Sequence, residues 1–290
     1  MIEEFAPAKI NLALHVTGQR ADGYHLLDSL VVFASAGDRL TIASAERDRF
    51  SLSGRFGPAL SADDPGNLAL RARDALRSKA AAIGRDAGPV HIHLEKNLPI
   101  ASGIGGGSAD AAAVLRGLNS LWSLGFGMEE LRDLGLPLGA DVPMCVESRP
   151  LVARGVGEDI TLLARFPALD MLLVNPLVEV STPAIFKRLT NKTNPTLSLP
   201  GEEAGFSDWI TALQAARNDL QPPAEHLAPE IAEAMALLTS TAPLLARMSG
   251  SGATCFALYP DRERLSAAAR ALEAERPDWY WQACASTGEF

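Results

Sequence analysis

The chain has 290 residues, 47% of them hydrophobic and 21% charged, and a formal net charge of −9. That balance describes an ordinary globular protein with room for two lobes, and it excludes the basic face that general nucleic-acid binding requires. No run of about eighteen apolar residues is present to cross a membrane, and phosphates must be met by local donors rather than by a global field. Cys145, Cys255 and Cys284 stand far apart with no C-x-x-C, and the opening MIEEFAPAKI lacks a basic-then-apolar leader pattern. A reducing cytoplasm without structural zinc is expected.

In residues 5–16, FAPAKINLALHV, the alternation of Ile10, Leu12 and Leu14 predicts a strand entered at Pro7. Lys9 and Asn11 share one of its faces. Residues 17–27 carry turn signals at Gly18 and Asp22-Gly23, followed by Tyr24 and His25. These present an aromatic face beside a ring with a donor and an acceptor. The apolar runs 30–33 and 40–42, separated by Ala36-Gly37-Asp38, predict a hairpin, and residues 50–52 a short strand. A turn over 63–66 leads to Asn67, which is placed to cap a helix running to Ala80. Val90, Ile92 and Leu94 alternate with His91, His93 and Glu95, so a strand is expected with both histidines on a solvent-facing surface.

The stretch 98–114, LPIASGIGGGSADAAAV, follows that strand and opens an alanine-rich helical pattern. Gly103, Gly105, Gly106 and Gly107 allow close backbone approach and positive φ. The helix start adds free N–H groups and a positive dipole end. Strand, glycine loop and helix together make an anion pocket of phosphate size. It is neither a Walker A loop, since no lysine follows, nor the G-x-G-x-x-G dinucleotide fingerprint. Ser108 and Asp110 offer a hydroxyl and a carboxylate of the kind that hold Mg²⁺ beside phosphates. Lys96, at the strand end, is placed to meet nucleotide phosphate or ribose.

The helix from this loop is expected to reach about Leu124. Gly139-Ala140-Asp141 precedes what reads as a short apolar strand, with Asp141 at a capping position. A turn is expected at 155–158, a lobe boundary at 165–167 and a buried strand at 171–174. Ser181-Thr182-Pro183 caps a helix bearing Phe186. Residues 191–205 form a polar loop, and Asn218-Asp219-Leu220 reads as a helix end. A helix over 229–238, a strand over 254–258 after Gly250-Ser251-Gly252, a helix over 261–275 and a strand over 279–285 close the chain.

The glycine stretch resembles the second motif of the GHMP kinases (galactokinase, homoserine kinase, mevalonate kinase and relatives). RMSGSGATCFALY at 247–259 resembles their third motif. P-A-K-I-N-L, G-Q-R-x-D-G-Y-H, G-A-D-V-P and S-T-x-x-x-F are similar to the branch whose acceptor is a cytidine-diphosphate-linked methylerythritol, and the match runs over essentially the whole chain. The resemblance implies an α+β, two-lobed GHMP kinase fold. Residues 1–163 would form the N-terminal ATP-binding lobe, and 164–290 a C-terminal ferredoxin-like α/β sandwich lobe. It implies ATP and Mg²⁺, a small-molecule acceptor phosphorylated on its 2-hydroxyl in the non-mevalonate isoprenoid route, and either a monomer or a homodimer. Lys9 and Asp141 would be catalytic, Asp141 as base. ATP would be held by Pro99, Ile100, Ala101, Ser102, Gly103, Ile104, Gly105, Gly106, Gly107, Ser108 and Ala109, with Asn67 and Lys96, and Mg²⁺ by Ser108. The acceptor would meet Asn11, Tyr24, His25, Thr182, Phe186, Gly250 and Ser251, with Tyr24 and Phe186 as the walls of a cytosine sandwich and His25 reading the base edge. Ala109 and Asp110 replace the branch's usual Ser-Asn, which removes a hydroxyl and sets a charge near the phosphates. A homoserine- or mevalonate-type kinase and a non-catalytic nucleotide sensor are the alternatives. The first lacks a base to stack on Tyr24, and the second is expected to have lost Lys9 or Asp141.

Overall fold

The computed structural model describes residues 1–62, 64–201 and 203–286. Asp63 of the expected turn and Glu202 of the expected polar loop lie outside the described residues. The chain forms two compact units. One comprises Met1–Lys9, Gly37–Ile100 and Gly105–Ser148; the other comprises Ile10–Ala36, Ala101–Ile104 and the residues from Arg149 on. They interleave in sequence because the two opening strands, β1 (Ile2–Gln19) and β2 (His25–Ser44), each contribute to both.

The expected hairpin over 30–42 is instead one continuous strand, β2. Gly37 is there for close approach rather than for a turn: a Cβ on it would lie 2.5 Å from the carbonyl oxygen of Ala6 and 2.6 Å from the Phe5 ring. Next to it, fully buried Asp38 accepts hydrogen bonds from the backbone N–H groups of Asn97 and Leu98.

In the first unit, β3 (Arg49–Ser53) is followed by α1 (Leu68–Ala82), β4 (Val90–Glu95), α2 (Gly106–Leu121), α3 (Met128–Gly135) and α4 (Val142–Glu147). β4 pairs antiparallel with residues 39–44 of β2 and parallel with β3. Asn67 caps α1 as expected, its Oδ1 accepting from the Ala69 N–H at 2.9 Å. Val90, Ile92 and Leu94 are buried, and His91 and His93 are half-buried on the opposite face as expected, where they meet the serines of β3. Ser51 Oγ lies 2.8 Å from His91 Nε2 and from His93 Nδ1, so the serines of β3 occupy the imidazoles. α2 is buried along almost its whole length through Ala109, Ala111, Ala112, Ala113, Val114, Leu115 and Leu118. Its small side chains bring it close to the sheet: a Cβ on Gly117 would stand 2.7 Å from Ile42. The helix ends at Leu121, earlier than expected. Residues 142–146, expected as a strand, form helix α4. All five are buried, so no alternation separates the two states, and Pro143 in the first turn favours the helix.

In the second unit, residues 27–31 of β2 pair antiparallel with β5 (Leu151–Gly155), which pairs with β6 (Asp159–Leu162) across the expected turn. Then come β7 (Asp170–Asn175), α5 (Thr182–Lys187), α6 (Phe206–Ala215), α7 (Gln221–Leu227), α8 (Pro229–Ser240), β8 (Leu245–Met248), β9 (Cys255–Tyr259), α9 (Arg262–Glu275) and β10 (Tyr280–Ala285). The strand order β10–β7–β9–β8 is antiparallel throughout. With α8 before β8 and α9 before β10, it is the ferredoxin-like arrangement expected of the C-terminal lobe. Leu172, Val174, Ile231, Leu238, Met248, Leu265 and Leu272 build its core, each worth about 1.5–3 kcal/mol on full burial. Asn218-Asp219-Leu220 lies at a helix end, the start of α7 with Leu220 as its N-cap, and forms the bridge from α6 to α7. Backbone bonds from Leu14 to Arg217 and from Asp219 to Leu14 tie it to β1.

His15 beside that bridge is 3% exposed; its Nδ1 donates to the Pro195 carbonyl at 2.9 Å and its Nε2 accepts the Arg217 N–H. The ring is therefore held neutral, and burial lowers its pKa below the ordinary 6.5. The folded state thus binds fewer protons than the unfolded one below that value. Stability is expected to be fully present above about pH 6.5 and to decline as pH falls through the folded-state pKa. Urea midpoints measured from pH 8 to pH 5 check this: the decline should be shallower in His15→Gln, and an equal decline in both proteins would remove His15 as a cause.

Candidate active site

Two clusters in the first unit contain expected site residues. At the start of α2, Gly105 is the N-cap in the left-handed region, φ 65°, and Gly106, Gly107 and Ser108 form the first turn. The helix therefore begins two residues before Ser108, and its leading N–H groups have no partner within the helix. A Cβ on Gly105 would stand 3.2 Å from Lys9 Cβ, so the lysine runs directly beside the helix start. Lys9 Nζ lies 2.7 Å from Asp141 Oδ2; the lysine side chain is 5% exposed and the aspartate 37%. Asp141 sits at the N-cap of α4 but makes no cap bond with its side chain. The carboxylate is directed to Lys9 instead, and among the described residues its Oδ1 accepts no hydrogen bond.

The second cluster lies beneath the first turn of α2. Lys96 Nζ is 2.6 Å from Asp38 Oδ2 and 2.7 Å from Asp110 Oδ2, and all three side chains are buried. Burial alone would lower the Lys96 pKa, but the two carboxylates outweigh it and raise it. Asp110 moves the other way from a usual carboxylate: burial raises it, against the pull of Lys96. Two expectations are corrected here. Lys96 does not extend a free ammonium from the strand end, and the Asp110 carboxylate is turned to that ammonium. Each faces the other inside the fold.

In the second unit, residues 102–104 lie against 249–254. Gly103 has φ 75°, and a Cβ there would fall 2.5 Å from the Gly252 carbonyl oxygen. Gly250 has φ 56°, with a would-be Cβ 2.7 Å from the Gly103 oxygen. The Thr254 N–H donates to Ser102 O at 3.1 Å, and the Asn11 N–H to Ser249 Oγ at 3.0 Å. Asn11 Nδ2 donates to Ser29 Oγ, which leaves its buried Oδ1 without a partner. Thr182 Oγ1 and Ser251 Oγ are 2.8 Å apart. The His25 ring stacks on Phe186 at 4.6 Å between centroids and 22° between planes, while Tyr24 is 64% exposed. The two rings in direct contact are therefore His25 and Phe186. Burial lowers the His25 pKa, with help from Lys192, and its buried Nε2 has no partner. A neutral imidazole with an unused nitrogen is suited to reading the polar edge of an uncharged ring.

The family model described as GHMP kinases N terminal domain matches residues 67–149, and the one described as GHMP kinases C terminal matches residues 202–278. The 4-diphosphocytidyl-2-C-methyl-D-erythritol kinase of Rhizobium leguminosarum bv. trifolii is 59% identical over 282 residues, covering 97% of this chain and 94% of that protein. This chain belongs to the 4-diphosphocytidyl-2-C-methyl-D-erythritol kinase family of GHMP kinases. A crystal structure of 4-(cytidine 5'-diphospho)-2C-methyl-D-erythritol kinase is 32% identical with a TM-score of 0.81, over 99% of this chain and 100% of the other. Homoserine kinase from Cytophaga hutchinsonii shares the fold alone, at 18% identity and a TM-score of 0.70 over 99% and 94% of the two chains.

Small residues and main-chain amides stand at 105–108 in the first unit, and at 103–104 and 249–252 in the second. For Mg²⁺ the fit is narrow. Among the described residues there is no cluster of three or more His, Cys, Asp or Glu that would cage a metal, and Asp110 is turned away. Ser108, half-buried in the first turn, presents a single hydroxyl, which would suit only an ion bound chiefly through phosphate oxygens. Asp38 and Ser249 escape the sequence reading. An acid inside an apolar strand is a signal for the first; the second is masked by the glycines that follow it.

Proposed function

We propose that this chain transfers the γ-phosphoryl group of ATP to the 2-hydroxyl of 4-diphosphocytidyl-2-C-methyl-D-erythritol, giving the 2-phosphate and ADP in the non-mevalonate isoprenoid route. The observation that carries it is the Lys9–Asp141 pair at 2.7 Å beside the glycine start of α2. Asp141 takes the acceptor's hydroxyl proton as that oxygen bonds to phosphorus, and the bond from phosphorus to the ADP oxygen breaks with its electron pair on ADP. Lys9 holds the carboxylate in place through its ammonium, and its charge offsets the transferring group. The amides at 105–108 hold the phosphates, Asn67 borders the nucleotide while it caps α1, and Mg²⁺ held at Ser108 would neutralise phosphate charge when bound. His25 and Phe186 form the floor of the cytosine site, and Tyr24 closes over it from its exposed turn. Asn11 Oδ1, Thr182, Gly250 and Ser251 meet the rest of the acceptor. The N-terminal lobe is 1–163 and the C-terminal lobe 164–290 in this reading, and the place of action is the cytoplasm.

The test is an ADP-release assay with the cytidyl acceptor against mevalonate and homoserine. Turnover is expected with the first only; turnover confined to either of the others overturns the reading. Tyr24→Ala is expected to raise the Michaelis constant for the cytidyl acceptor about tenfold, the loss of one base–aromatic stack of about 1–3 kcal/mol, with little change in kcat. An unaltered constant would remove Tyr24 from the base site.

A further inference from the structure

The buried cluster under the start of α2 has more charge than packing requires. Asp38, Lys96 and Asp110 bring two carboxylates to one ammonium at 0%, 3% and 3% residue exposure. Burying such groups carries a desolvation penalty that good geometry only offsets, and apolar residues of similar volume commonly do as well or better for stability. A reason other than stability is therefore called for, and the hydrogen bonds supply it. Asp38 Oδ1 accepts the N–H groups of both Asn97 and Leu98, the residues leading into the glycine stretch. Its Oδ2 takes Lys96 Nζ, and the same ammonium reaches Asp110 in the second turn of α2. A Cβ on Gly106 would come within 3.1 Å of Lys96 Nζ, so the ammonium lies immediately under the first turn. The Lys96 backbone is fixed too, its N–H donating to Ser53 O and its carbonyl accepting from Phe56.

We propose that Asp38, Lys96 and Asp110 are positioning residues for ATP: a buried ionic tie that fixes the entry to the glycine stretch relative to the first turn of α2, so that its amides are aligned before the phosphates arrive. This rests on the reading of that helix start as the phosphate site. Lys96 acts through the loop and touches no phosphate itself. Asp38 is the junction, since one carboxylate holds the loop backbone with one oxygen and the lysine with the other. Directional ties of this kind set the angle between two segments, which apolar contacts leave looser.

The test compares the wild type with Lys96→Met, Asp110→Asn and the combined D38N/K96M/D110L variant, which replaces the cluster by a mostly apolar one while keeping an oxygen at residue 38. Direct calorimetric titration of a non-hydrolysable ATP analogue, the melting temperature, and the Michaelis constants for ATP and for the acceptor are measured on each. Lys96→Met should raise the ATP-analogue Kd and the ATP Michaelis constant at least tenfold and leave the acceptor constant within twofold. Asp110→Asn, which keeps an oxygen for the ammonium, should stay within about threefold of the wild type. The combined variant should melt within a few degrees of the wild type and still bind ATP at least tenfold more weakly. If Lys96→Met or the combined variant melts like the wild type and also binds the analogue like the wild type, the cluster is structural only and the proposal is overturned. If Lys96→Met fails to fold, the combined variant decides alone. A wild type that fails to bind the analogue at all would instead sink the reading of the glycine stretch as an ATP site.

Discussion

Replacing Asp141 with asparagine is expected to lower kcat by about two to four powers of ten while ATP binding stays within a few-fold of the wild type. The reasoning starts from what the side chain does in the fold. Asp141 is at a helix N-cap, where asparagine is as good a residue as aspartate, but its oxygen goes to Lys9 rather than to the helix. The Asp141→Asn side chain would keep a carbonyl oxygen for the lysine and the same volume against α4. It would lose the ability to accept the acceptor's proton. The ion pair's own share of stability is modest because Asp141 is 37% exposed and solvent screens it, so a loss of no more than about 1 kcal/mol is expected. Steady-state turnover, analogue binding and a melting curve on the same preparation separate the effects. Turnover within tenfold of the wild type would exclude Asp141 as the base. A collapse of ATP binding together with turnover would show that the carboxylate works by holding the helix start rather than by proton transfer.

What the sequence disclosed followed from how local its causes are. The strand–glycine–helix order at 90–121, the cap at Asn67, the Ser181 cap of α5 and the ferredoxin-like strands were readable because turn chemistry, capping and periodicity act over a few residues. Four readings differ for reasons that lie in distant partners. Gly37 reads as a turn until Phe5 and Ala6 are seen against its missing Cβ. The run 142–146 is buried on every side, so its period says nothing. Lys96 and Asp110 look like ligands for phosphate and metal because both are polar and beside the loop; only the tertiary fold shows them neutralising each other with Asp38. Phe186 is read as an aromatic wall, but its direct stack on His25 is not foreseen. His25 and Phe186 are 161 positions apart in sequence, and ring stacking across that separation leaves no local pattern.

The largest expected loss of stability from a single added methyl group is at Gly103. Gly103→Ala adds only a Cβ, yet that atom would stand 2.5 Å from Gly252 O, 2.7 Å from Gly252 N and 2.8 Å from Ser249 O, all backbone. No side chain can rotate away, so 102–104 must separate from 249–254, with loss of the Thr254 N–H bond to Ser102 O. The left-handed φ of 75° adds about 1 kcal/mol or more for any residue with a Cβ. Together these point to a loss of about 3–4 kcal/mol, which in a chain of this size lowers the melting temperature by about 6–15 °C. The displaced loop should also weaken ATP binding in the protein that remains folded. Gly125 provides the control, since its φ is 76° and a Cβ on it would meet nothing within 4 Å. Gly125→Ala has the same backbone strain without the collision and should cost about 1 kcal/mol. The difference between the two melting temperatures therefore measures the backbone-on-backbone contact alone. If Gly103→Ala melts no lower than Gly125→Ala, the glycine stretch is not held by 249–254, and its fixed shape as a phosphate grip needs another cause.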